Sequence, residues 1–157
     1  MRRTGIALLV AATAAAAGCG GGGGSSSSGS STAALSPAQF RSQVRQLCSQ
    51  AQKQVNSVPE PKSAAGVVPY INKTLAVAKP YVNKLAALNP PAQFSSQFQQ
   101  VVSLNRRELA LLSKTKSQLA GNANPAQVIA TMQKEANSLS SSEDAKWRQM
   151  GVPKCAS

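Results

Sequence analysis

The sequence predicts an all-α protein, an antiparallel up-down bundle of about four helices that follows a signal peptide and a flexible Gly/Ser tether. Three observations carry that prediction. Apolar residues recur at steps of three and four through four successive segments, most of them opened by a capping residue and a proline. The chain is poor in aromatics, with three Phe, two Tyr and one Trp in 157 residues. Ala, Leu, Val, Gln, Lys and Ser dominate the part beyond the tether, a composition that favours helix over sheet. No segment alternates apolar and polar residues as a half-buried strand would, and the short connections favour antiparallel neighbours.

The N-terminus reads as a targeting segment. Arg2 and Arg3 precede an apolar run of 13 residues, Gly5 to Ala17. That run is too short to span a hydrocarbon core of about 30 Å as a helix. It ends at Ala16-Ala17-Gly18-Cys19, which resembles the lipobox of bacterial lipoproteins. The resemblance implies a signal peptide over 1–18, lipid on Cys19, and a chain exported and held on the outer face of the cell membrane. Lipoproteins usually carry Leu three residues before the cysteine, where this chain has Ala16. Ordinary signal-peptidase cleavage near Ala15-Ala16-Ala17 is therefore the rival reading. Thr4-Gly5-Ile6 matches the twin-arginine route poorly, so export by the general secretory route is expected.

Residues 19–35 form the tether. Gly20 to Gly24 and the serine-rich stretch to Ser31 have nothing to bury. A flexible chain of about 15 such residues spans roughly 20 Å. The glycine run is no phosphate-cradling loop, because no strand precedes it and no Gly-Lys-Ser/Thr follows.

The folded domain is expected over 36–157. Ser36-Pro37 caps the first helix, whose stripe is Phe40, Val44, Leu47, Cys48, Ala51, Val55 and Val58. Pro59-Glu60-Pro61 ends it. The second helix is expected from near Ser63 to Leu88, with Val68, Ile71, Leu75, Ala78, Val82 and Leu85 inward. Pro80 lies inside it, and Pro69 allows the regular helix to begin only there. Asn89-Pro90-Pro91 opens the third helix by the same cap-then-proline logic, with Phe94, Phe98, Val101, Val102, Leu109, Leu112 and Leu119 inward, and Gly121 stops it. Asn124-Pro125 opens the fourth. It carries Val128, Ile129, Met132, Ala136, Leu139, Trp147 and Met150, and Ser140 to Ser142 divide it if they weaken it. Gly151-Val152-Pro153 ends it and returns Cys155 toward the first helix.

Lipid on Cys19 accounts for the odd cysteine of three, which leaves Cys48 and Cys155 as a natural pair in an oxidising compartment. Two buried free thiols are the other reading. The bridge would close a loop of about 108 residues, for which the chain-entropy model allows up to about 4.7 kcal/mol. A lipobox, a Gly/Ser tether, a helical domain and a C-terminal Gly-x-Pro-x-Cys together resemble small uncharacterised all-helical lipoproteins of high-GC Gram-positive bacteria. The likeness implies an envelope setting and supplies no reaction.

Catalytic chemistry is poorly served. The chain has no histidine, which removes triads built on it and leaves any zinc site short of its usual ligands. No cofactor or metal is expected. The acids are Glu60, Glu108, Glu135, Glu143 and Asp144. Glu143 and Asp144 are adjacent and do not face each other on a helix, so a working pair needs distant residues to meet. Removing Arg2 and Arg3 with the signal leaves 15 basic against 5 acidic side chains, a net charge of +10. The basic residues are scattered, which suits a solvated surface or attraction to lipid headgroups or an anionic cell-wall polymer. No aromatic-interleaved basic motif points to nucleic acid. One repeat stands out. Pro69-Tyr70-Ile71-Asn72-Lys73 returns as Pro80-Tyr81-Val82-Asn83-Lys84, and eleven residues are close to three helical turns. Tyr70, Lys73, Tyr81 and Lys84 form a candidate ligand or surface patch, beside the plainer reading of packing and solvation. The other functional reading is a carrier of a small apolar ligand lined by Tyr70, Tyr81, Phe94, Phe98 and Trp147.

Overall fold

A computed structural model describes residues 33–121 and 123–155. The segments read as signal peptide (1–18), lipidated Cys19 and the tether up to Thr32 lie outside the described residues. Four helices follow in order: α1 Pro37–Asn56, α2 Val67–Ala86, α3 Ala92–Ala120 and α4 Pro125–Gln149, with single 3-10 turns at Ala64–Gly66 and Pro153–Cys155. Among the described residues there is no strand.

Local chemistry explains the boundaries. Ser36 and Gln39 form a reciprocal capping box, each side chain accepting from the other's backbone N–H at 3.3 and 3.1 Å. α1 stops at Asn56, two residues before the predicted limit, because Pro59 disfavours helical backbone at Val58. Val58 is buried all the same. α2 starts at Val67, so Pro69 is its third residue, where no intrahelical donor is required. Pro80 stays inside α2, on its exposed side. α3 begins only at Ala92, after both prolines and without a side-chain cap. Asn89 does not open it; its carbonyl instead accepts the N–H of Leu35 at 3.0 Å. Asn124 caps α4 by accepting from Ala126 and Gln127. α4 continues unbroken through Ser140–Ser142, where Ser142 donates back to the carbonyl of Ser138 at 2.9 Å.

α4 ends in a Schellman motif. Val152 N–H reaches the Trp147 carbonyl and Gly151 N–H the Arg148 carbonyl, with Gly151 at φ 74°. The motif turns Val152 inward and carries Cys155 to α1, where it is disulfide-bonded to Cys48 with Cα atoms 5.5 Å apart.

α1 packs on α2, α2 on α3 and α3 on α4, while the C-terminal turn bridges α4 and α1. Asn105 meets Glu143 and Lys114 meets Glu135, so α3 and α4 run antiparallel. The main core joins Phe40 and Val44 of α1, Leu85 of α2, Phe94 and Phe98 of α3, and Trp147 of α4, closed by Met150 and Val152. A second cluster, Leu104, Leu111 and Leu139, binds α3 to α4 farther along. Leu109, Leu112 and Leu119, expected inward, are half-buried, whereas Leu104 and Leu111 are buried. α3 has a helix on either side, and a helix with two neighbours buries more than one stripe.

Candidate functional site

The predicted strip lies along α2. Tyr70 and Tyr81 are half-buried, Lys73 and Lys84 exposed. The structure brings Lys84 and Tyr81 together, with the ammonium 5.4 Å from the ring centroid, a cation–π contact across one turn. Tyr70 and Lys73 sit about 16 Å farther down the helix, from roughly 1.5 Å per residue. The five aromatics of the carrier reading do not form one group. Phe94, Phe98 and Trp147 belong to the main core, and Tyr70 and Tyr81 do not. Phe40 occupies the space beside them, its ring centroid 5.7 Å from Phe94 and 5.1 Å from Phe98. A surface hollow of about 250 Å³ lies elsewhere, at the α3–α4 connection, lined by Gln118, Ala123, Asn124, Gln127, Val128 and Thr131.

Local sequence reasoning missed a buried acidic junction between α3 and α4. Trp147 is 1 % exposed, so its indole N–H requires an acceptor. Glu143, one turn earlier, accepts it at 2.7 Å and also accepts from Asn105 Nδ2 at 2.8 Å. Burial pushes the Glu143 carboxyl up, and these two hydrogen bonds pull against that push. Glu108, one turn along α3 from Asn105, is pushed up to about 7, first by burial and then by Glu143 and Asp144. Asp144 lies 3.8 Å from Arg148 in an i,i+4 pair. The available signal is on α3: Val101, Asn105, Glu108 and Leu112 follow helical spacing, which puts a carboxyl in an inward stripe.

Arg41 of α1 clasps the end of α4. Its Nε donates to the Met150 carbonyl at 2.8 Å, and its guanidinium lies 5.0 Å from the Phe94 centroid. A cation is favoured at a helix C-terminus, where the carbonyls lack partners.

These placements leave a lopsided surface. Glu108, Glu143 and Asp144 are at most half-exposed, while Glu60 and Glu135 are exposed. Glu135 lies 3.9 Å from Lys114. Most basic side chains, among them Arg45, Lys53, Lys73, Lys84, Arg106 and Arg107, are exposed. Among the described residues no group of three His, Cys, Asp or Glu side chains is disposed to hold a metal ion, and no helix is long and apolar enough to cross a membrane.

Among the described residues, fold and site together define a disulfide-closed helical bundle with an aromatic-bearing core and a mostly basic exterior. Compared with family models, curated proteins and solved structures, the chain matches none.

Proposed function

We propose that this chain is a membrane-anchored lipoprotein of the cell envelope, exported by residues 1–18 and held on the outer face of the membrane by lipid on Cys19. Residues 19–35 are its tether, and residues 36–157 a non-catalytic binding or scaffolding module at the membrane–wall boundary. The module's ligand is an anionic polymer or surface. The observation that carries this reading is the division of charge: three of the five acids are drawn toward the α3–α4 junction, while the bases remain outside. Near an anionic surface each Lys or Arg contributes roughly 1 kcal/mol, and salt weakens the attraction. The carrier reading gains no support, since three of its five aromatics are used in packing.

Intact-mass measurement of protein extracted from native membranes tests the anchor. A chain beginning at lipidated Cys19 is expected, and an unlipidated chain cut elsewhere overturns it. Co-sedimentation with purified cell wall and with anionic vesicles tests the module, with binding at low salt and release as salt rises. Failure to bind either at low salt overturns the binding reading.

A further inference from the structure

The bundle has two ends, and the chain enters at only one of them. The Leu35 N–H bond to the Asn89 carbonyl sets the entry point beside the α2–α3 turn. Arg41 Nε on the Met150 carbonyl sets the start of α1 beside the end of α4. Entry point, α2–α3 turn and α4 terminus therefore share one end. Lys84 is two residues from the end of α2, and Lys146 and Arg148 are in the last turn of α4. Lys84 and Arg148 are exposed and Lys146 is half-exposed. Half-buried Tyr81 lies beneath Lys84, an apolar ring with a polar tip of the kind that suits a headgroup layer. The exposed acids are elsewhere, Glu60 in the connection after α1 at the far end and Glu135 in the half of α4 nearer that end.

Resting on the anchored-lipoprotein reading above, we infer that the tether-side end of the bundle is a docking surface for anionic phospholipid headgroups. Lys84, Lys146 and Arg148 supply the charge. One feature selects lipid over wall polymer as the occupant. The chain outside the described bundle leaves from this end, so a lipid at Cys19 brings this end to the bilayer first. The charge here suits an anionic surface of either kind, with Asp144, the acid nearest this end, at most half-exposed and set against Arg148. Docking converts a tethered domain into one with a fixed orientation and turns the α1–α2 and α3–α4 connections away from the membrane.

The test separates this surface from both the lipid anchor and net charge. The chain from residue 19 onward with Cys19→Ser is used, which keeps every described residue and in which no acyl chain contributes. Its partitioning is measured on vesicles of phosphatidylcholine alone and of phosphatidylcholine mixed with phosphatidylglycerol. Binding to the mixed vesicles only, falling as salt rises, is expected. The triple variant Lys84→Gln, Lys146→Gln, Arg148→Gln should bind about 100-fold more weakly, from about fivefold per charge removed. The far-end triple Lys53→Gln, Lys62→Gln, Lys134→Gln loses the same charge and should change binding by less than about threefold, being beyond a Debye length of roughly 10 Å from the surface. Equal losses in the two triples would overturn the oriented surface and leave a general basic binder. Binding to purified wall without binding to anionic vesicles would overturn lipid as the occupant, while the broader proposal stands. Lipidation is read separately by mass, so its failure cannot be mistaken for either result.

Discussion

Glu108→Gln removes a carboxyl that the fold holds at about 7 against an ordinary 4.5, chiefly through burial and secondarily through Glu143 and Asp144. A carboxyl whose value is raised on folding binds its proton more tightly in the native state. Its contribution to stability is therefore fully present below about 4.5 and is lost as pH rises through about 7. At roughly 1.4 kcal/mol per pH unit, the gap corresponds to at most about 3 kcal/mol, of which about 2 to 3 kcal/mol falls between pH 5 and pH 8. Glu143 is raised as well and adds a trend of the same sign. Glutamine keeps the shape and cannot ionise. The variant should be more stable than the parent at pH 8 by about 1 to 3 kcal/mol and nearly equal to it at pH 5. Urea unfolding followed by helical circular dichroism across that range reads the difference directly. Titrations of groups remote from Glu108 cancel when parent and variant are subtracted. Parallel stability–pH curves for the two proteins would refute the assignment of this proton to Glu108.

Three further outcomes follow from the packing. Reducing the Cys48–Cys155 bridge, or replacing both cysteines by alanine, should lower unfolding stability by about 2 to 5 kcal/mol, because the bridge constrains nearly the whole domain. Denaturant midpoints with and without reductant measure this, and a free-thiol assay on the oxidised unfolded chain should find none at these positions. Gly151→Ala should cost about 1 to 2 kcal/mol through its left-handed backbone. Its new Cβ would also lie 3.0 Å from Arg41 Nε and crowd the clasp; an unchanged melting temperature would contradict this. Trp147→Phe removes the indole donor from Glu143, leaving a buried acceptor with one bond fewer, and should destabilise by about 1 to 3 kcal/mol. The loss should be smaller at acid pH, where Glu143 is protonated.

Much of the helical plan was legible because its cues are local. Ser36 and Asn124 cap, Gly151 stops, and the three-and-four spacing of Phe40, Val44, Phe94 and Phe98 marks inward faces. Each is decided within a few residues of chain. Where local reasoning slipped, a neighbour intervened: Pro59 shortened α1, the second proline moved α3's start to Ala92, and α3's place between two helices buried Leu104 and Leu111. The candidate site was less legible. Tyr81 and Lys84 meet because they lie one turn apart, whereas Phe94, Phe98 and Trp147 look like a ligand lining until Phe40 is seen beside them.

By itself the sequence determined an all-helical domain, its caps and stops, and an excess of basic residues, all of which depend on residue type and short-range spacing. Only the tertiary structure decided what the charges do. Glu108 and Glu143 are 35 positions apart in the chain, and the antiparallel register of α3 and α4 alone brings them within electrostatic reach. Once the core removes that junction from water, the dielectric around it falls and an ordinary glutamate holds its proton near neutrality. The same packing gathers Lys84, Lys146 and Arg148 at the end where the chain enters, a grouping that no stretch of sequence contains.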